Sequence, residues 1–238
     1  MKKSALILIL IAGLFGYAGM SGKQSASLSR PITTESLLAE MADLYRLIEL
    51  PIPAYTTRQF SSYDPESRTQ DDVEGWFANK DRGHYLRVEE KEGRKEFVMM
   101  DADGPGAMVR IWSANPQGTL RIYLDGKEKP ALEVDMLKLL TGKIPHFPEP
   151  FAGMRARGCN LYFPIPYARH CKVTSDQGNF YYHINYRTYE AGTEVVSFTP
   201  ADLERLAEKI DNLARRLAIP RDVNKPWPAN MKKDLFDY

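Results

Sequence analysis

Hydrophobic and polar residues alternate most plainly between Asp101 and Gly126. Ala107, Val109 and Ile111 alternate with Met108, Arg110 and Trp112. Leu120, Ile122 and Leu124 alternate with Arg121, Tyr123 and Asp125. A period of two sends the two sets to opposite faces of a sheet. Gly104-Pro105-Gly106 reads as a tight turn and Asn115-Pro116-Gln117-Gly118 as the connecting loop, so the stretch predicts a β-hairpin. Its aliphatic face, with Val109, Ile111, Ile122 and Leu124, is expected to meet a core. Its other face carries Arg110, Trp112, Arg121, Tyr123 and Asp125.

Phe180 to Tyr189 repeats the pattern as the longest predicted strand. Phe180, Tyr182, Ile184 and Tyr186 face one way, and Tyr181, His183, Asn185, Arg187 and Tyr189 the other. Shorter strands are predicted at Tyr85 to Val88 and Phe97 to Asp101, around the Glu92-Gly93 turn, and at Leu132 to Val134, Leu161 to Ile165, Cys171 to Thr174 and Val195 to Phe198. Pro164 and Pro166 put Leu161 to Ile165 at an edge or a bulge. Met136 to Leu140 reads as one or two helical turns closed at Gly142.

Two segments have helical periodicity. Leu37, Leu38, Met41, Leu44, Tyr45 and Ile48 recur along one face after Thr33 or Thr34 as cap, and Pro51 and Pro53 end the pattern. Leu203, Leu206, Ile210, Leu213 and Leu217 recur after Thr199-Pro200, with threonine as cap and proline at the first helical position. Tyr55 to Gly83 is polar, without periodicity, and reads as a long loop. It holds Asp64, Glu66, Asp71 and Asp72, carboxylates suited to acid/base work, to calcium, or simply to solvent. The expected fold is mostly β, a jelly roll or β-sandwich with flanking N-terminal and C-terminal amphipathic helices. The expected division is a signal peptide over 1–22, a linker and helix over 23–54, the jelly roll over 55–198, a helix over 199–219 and an irregular tail over 220–238.

Charge removes some function classes. Lys and Arg number 32 against 31 Asp and Glu, a net +1, so no nucleic-acid partner is indicated. Lys2-Lys3, the apolar run Ala5 to Phe15 and the small residues after it read as a secretory signal, with a periplasmic or secreted product. The apolar run is short for a membrane span, so no stable insertion is expected once the signal is removed. Cys159 and Cys171 would meet an oxidising compartment, and whether they pair is open. No metal-ligand spacing, P-loop, GxGxxG or Ser-His-Asp arrangement is present, so neither a metal nor a cofactor is expected.

The candidate chemistry lies on the two polar sheet faces and the acidic loop. Asp64, Arg110, Trp112, Tyr123, His183, Asn185 and Arg187 form the expected substrate-binding set, with catalytic residues unassigned. Aromatic rings offer flat apolar surface to sugar C–H groups, and Asp, Asn and Arg supply oriented hydrogen bonds. A solvated face whose arginines pair with nearby acids has the same pattern, and the residues alone leave both readings open.

Four motifs in order carry a resemblance: SSYD (Ser61 to Asp64), DGPGAMVRIWSANPQGTLRIYLDG (Asp103 to Gly126), LYFPIPYARHCKV (Leu161 to Val173) and FYYHINYRTY (Phe180 to Tyr189). Together they resemble glycoside hydrolase family 172, across roughly Phe60 to Tyr189. The resemblance implies one of the family's two jelly rolls, a homo-oligomer (a trimer or a multiple of it), and a furanose-containing oligosaccharide or polysaccharide as partner. Its characterised members cleave α-furanosidic links with retention, a reaction that uses two carboxyl groups about 5 Å apart. The family's catalytic glutamates belong to its second jelly roll. The sequence runs 49 residues past Tyr189, too few for one, so no catalytic residue carries over. The run after Tyr63 also departs from the family pattern. Asp64 is kept and Asp71-Asp72 correspond to its acidic end, but Pro65-Glu66-Ser67-Arg68-Thr69 replaces a Gly-Gly-Asn portion. The expectation is a furanosidase-like exported protein lacking the second domain. The alternatives are a non-catalytic glycan-binding or assembly module, or a gene fragment without activity.

Overall fold

The computed structural model describes residues 30–219 except 68, 70, 73, 74, 76 and 77. The expected signal peptide and tail lie outside the described residues. The elements run α1 (Thr34–Glu40), a single 3-10 turn (Tyr45–Leu47), β1 (Tyr55–Ser61), β2 (Arg87–Lys91), β3 (Arg94–Asp103), β4 (Gly106–Ala114), β5 (Thr119–Leu124) and β6 (Leu132–Asp135). Then come α2 (Met136–Leu140), β7 (Ala152–Arg155), β8 (Gly158–Leu161), β9 (Ile165–Tyr167), β10 (His170–Ser175), β11 (Tyr181–Tyr189), α3 (Pro200–Arg205) and α4 (Ala207–Ala218).

The strands form two antiparallel sheets. One has the order β1-β11-β4-β8-β7, with β9 also paired to β4, and the other has the order β2-β3-β10-β5-β6. Their inner faces share one core: Met108, Ile111, Tyr182 and Ile184 from the first meet Met100, Ile122, Leu124 and Val173 from the second. The fold is therefore a β-sandwich with flanking helices, as the alternation requires. Helix α2 closes one side. Asp135 caps it by accepting from the Lys138 N–H at 2.8 Å, and Met136, Leu139 and Leu140 are fully buried.

The expected hairpin is not one. β4 pairs with β11, β8 and β9, whereas β5 pairs with β10 and β6. The Asn115–Gly118 loop carries the chain from one sheet to the other, with left-handed backbone at Asn115 (φ 58°) and Gly118 (φ 80°). Alternation reports faces, not partners, so it could not separate a hairpin from a crossover between sheets. Within β4, Asn185 pairs with Arg110 and Tyr186 with Met108, leaving Val109 as the extra residue of a bulge. Ile111, Ile122 and Leu124 are core as expected. Val109 is instead half-buried on the opposite face, against Ile32, Leu37, Ala107 and Tyr189.

Other boundaries shift for local reasons. The N-terminal helix stops at Glu40, because the Asp43 carboxylate accepts from the Tyr45 N–H at 2.9 Å and offers the backbone a turn instead. Leu44 and Ile48 are thereby exposed. Tyr55 to Ser61 is an edge strand, not loop, and its exposed Thr56, Thr57, Arg58 and Gln59 suit an edge that faces water. Val195 to Phe198 supplies only a single parallel bridge, Ile32 to Val195. The C-terminal helical pattern divides at Leu206 into α3 and α4. Thr199 is the N-cap of α3, as expected, and Asp202 completes a capping box by accepting from the Thr199 N–H at 2.8 Å. Cys159 and Cys171 are free, buried thiols on β8 and β10, strands of different sheets.

Candidate functional site

The outward face of the six-stranded sheet carries most of the expected set. Trp112 and His183 are directly opposed on β4 and β11, and their rings lie 4.8 Å apart at 41°. Beside them runs a polar ladder four strands wide. Asn185 Nδ2 on β11 donates to Gln59 Oε1 on β1 at 3.0 Å. Arg110 on β4 donates through Nη1 to Asn185 Oδ1 at 3.3 Å and through Nη2 to Asn160 Oδ1 on β8 at 3.1 Å. Asn160 Nδ2 donates in turn to the Gly158 carbonyl at 3.2 Å. The Arg110 guanidinium also lies 5.7 Å from the Tyr162 ring centre. The bulge at Val109 helps set this face, because it lets Arg110 and Trp112 both point outward while Met108 returns to the core.

The structure separates the other expected residues from this cluster. Tyr123 is not on this face. It lies on β5 of the other sheet, 2 % exposed, and its hydroxyl donates to both oxygens of Glu96 at 2.8 and 3.0 Å. Asp64 is buried. It accepts from the N–H groups of Glu66 and Lys80 at 3.0 and 2.9 Å, while its own N–H donates to Asp81 Oδ1 at 2.8 Å. These backbone bonds hold its pKa below the ordinary aspartate value. They make it a clamp between Asp64–Glu66 and Lys80–Asp81. Arg187 shares the outward face but is engaged: Nη1 donates to Glu40 Oε2 of α1 at 2.7 Å, and the guanidinium lies 4.3 Å over the Tyr55 ring.

His183 is half-buried. Burial first, then the nearby Arg110 charge, lowers its pKa below 6.5, against a smaller opposing pull from Asp81. Its imidazole is neutral at pH 7, able to donate from one nitrogen and accept at the other. The cluster thus offers an aromatic wall, a fixed guanidinium, three amides and a neutral imidazole. Its ladder contains no carboxylate.

Gln59, Asn160, Tyr162 and Gly158 were not signalled by alternation. Gln59 falls in the stretch read as loop. Asn160 precedes the proline-marked stretch Leu161 to Ile165 and Tyr162 lies within it, where sequence alone could not assign a face. Gly158 is needed because an added Cβ would stand 2.1 Å from Trp112 Nε1. The tightness of that approach exists only once β8 lies beside β4. Cavities elsewhere include a groove of about 90 Å³ between α1 and α4 and a hollow of about 280 Å³ lined by Leu50, Pro51, Ile52, Tyr55 and Tyr189.

Residues 53–206 match the family model described as the GH172 first beta-sandwich domain. The chain belongs to glycoside hydrolase family 172. No curated protein matches it. The GH172 match runs from β1 through α3 and contains every residue of the outward cluster. Helices α1 and α4 flank the matched span and pack on each other, with Glu35 of α1 bonded to Lys209 of α4.

Proposed function

We propose that the outward face of the six-stranded sheet binds furanose-containing glycans, and that the protein is exported to meet them. The Trp112–His183 ring pair beside the Gln59–Asn185–Arg110–Asn160 ladder carries this reading. An indole face covers sugar C–H groups, and the ladder presents donors and acceptors whose directions are set by their neighbours. The ladder supplies recognition without the carboxylate pair that retaining hydrolysis uses. The expected activity of this chain by itself is therefore binding without turnover.

Calorimetry against arabinan and fructan oligosaccharides tests it, together with release of an aryl α-furanoside. Wild-type protein binds and Trp112→Ala does not. Arg187 is left intact, because it holds α1. Absence of binding by folded wild-type protein overturns the reading, and turnover would assign catalysis to carboxylates outside the ladder.

A role in assembly has its own support. Leu47, Ile48, Leu50 and Ile52 are 72–90 % exposed in one short segment, and such apolar exposure marks contact surfaces. We propose a homo-oligomer. A monomer in light scattering at high concentration would count against it.

A further inference from the structure

Arg110 differs from the other arginines that are buried in the two sheets. Arg94, Arg121 and Arg187 are also buried or half-buried, and each holds a carboxylate: Glu92 and Glu96, Glu133 and Asp176, and Glu40 respectively. Arg110 is half-buried at the centre of the outward face and makes no ion pair among the described residues. Its two partners, Asn185 and Asn160, are neutral amides that approach from the strands on either side. Each amide is itself tethered, one to Gln59 and the other to the Gly158 carbonyl. A guanidinium has five N–H donors in a fixed fork. Two are used here, and three are left without a protein acceptor among the described residues.

A cation that has lost part of its hydration and has no counter-charge is a costly arrangement unless a ligand supplies the charge. Pinning the fork from both sides removes the rotamer freedom that a ligand would otherwise have to freeze, as preorganised sites do. The field of the uncompensated guanidinium is felt next door, where it contributes to keeping His183 neutral.

We propose that the glycan recognised on this face is acidic, and that Arg110 receives an oxyanion borne by the sugar while Trp112 covers the ring. This rests on the glycan-binding reading and narrows it. A carboxylate matches the planar fork with two parallel bonds, and a phosphate ester matches it nearly as well. The Tyr162 ring centre lies 5.7 Å from the guanidinium, and Trp112 follows two residues along β4 on the same face, so the amide-flanked donors would make the polar contact and the rings the apolar one.

Calorimetry on the intact protein separates the possibilities. The probes are D-galacturonate against D-galactose, ribose 5-phosphate against ribose, inorganic phosphate alone, and a neutral arabinan oligosaccharide. At least one acidic sugar is expected to bind about tenfold more tightly than its neutral counterpart, the gap between a charged and a neutral hydrogen bond. The preference disappears in Arg110→Gln and survives in part in Arg110→Lys, with circular dichroism confirming that both variants fold. Which pair shows the preference distinguishes a carboxylate from a phosphate.

Equal affinity for acidic and neutral sugars overturns the proposal, as does a preference unchanged by Arg110→Gln. Inorganic phosphate binding as well as ribose 5-phosphate, without dependence on Trp112, also overturns it. If the arabinan oligosaccharide binds in a Trp112-dependent way without any charge preference, the glycan reading stands and only the acidic one falls. If the acidic sugars bind through Arg110 and the arabinan oligosaccharide does not, the acidic site stands and the furanose reading falls.

Discussion

The Tyr123 hydroxyl bridges both oxygens of the fully buried Glu96 carboxylate across β5 and β3, at 2.8 and 3.0 Å. Burial alone would push Glu96 up. Bonds from Tyr123, Thr174 Oγ1 at 2.9 Å and Arg94 outweigh burial and hold it below the ordinary glutamate value. Tyr123 is pushed up to about 12 by burial and by the same carboxylate. Tyr123→Phe removes a donor from a buried charge. It is expected to cost about 1.5–3 kcal/mol, read as a lower urea midpoint, and to leave glycan affinity unchanged. Loss of binding in a folded Tyr123→Phe protein would return Tyr123 to the recognition face.

Two valine and isoleucine positions with the same sequence pattern differ in the structure. Ile122 is fully buried between the sheets, whereas Val109 sits in the β4 bulge, half-buried on the other face. Ile122→Ala is expected to destabilise by roughly 2–5 kcal/mol, through lost transfer energy and a residual cavity. Val109→Ala is expected to cost clearly less. Equal losses in chemical denaturation would place Val109 in the core and remove the bulge.

Gly158→Ala tests the binding face without touching a polar group. Its Cβ would overlap Trp112 Nε1 at 2.1 Å, so the indole must turn away from its place beside His183. The expected outcome is weakened glycan binding in a protein that still folds, seen by calorimetry and by a change in tryptophan fluorescence. Unchanged fluorescence and affinity would show that the indole does not form the wall.

Acid is expected to weaken the fold in two stages. The lowered His183 pKa means that the unfolded chain binds its proton more readily. Its contribution is full above its ordinary value near 6.5 and falls as pH drops below that. Glu96, Asp101, Asp125 and Asp176 are also held below their ordinary values, by hydrogen bonds that outweigh burial. Their contribution is full above about pH 4 and is lost as pH falls through their native values. Urea midpoints measured from pH 7.5 to 3 should show both declines. His183→Asn should remove the upper one alone.

The strand faces were largely legible because β11 obeys the period of two from Tyr181 to Arg187, and at Tyr189, buried against Ile32 and Leu37, burial leaves the pattern. Phe180, Tyr182, Ile184 and Tyr186 are buried, and His183, Asn185 and Arg187 point outward. What could not be read was partnership. Tyr123 and Trp112 are polar-face residues of consecutive strands, yet a four-residue crossover puts them on opposite sides of the sandwich. Asp64 has the composition of a ligand-binding carboxylate, but its partners are backbone N–H groups 2 and 16 residues away in sequence. Gln59 lay in a segment without alternation, because an edge strand exposed along most of its length has no buried face to impose a period.

That edge has a dynamic consequence. β1 is hydrogen-bonded to β11 alone, yet it contributes the outermost rung of the ladder through Gln59. Fraying of β1 removes Gln59 from Asn185 and frees that amide to swing away from Arg110. Edge strands open at low free energy compared with central ones. The guanidinium's orientation is thus tied to the breathing of an edge strand of the sheet. A ligand that fastens on Arg110 would slow amide exchange along Thr56 to Arg58, outside the ladder itself.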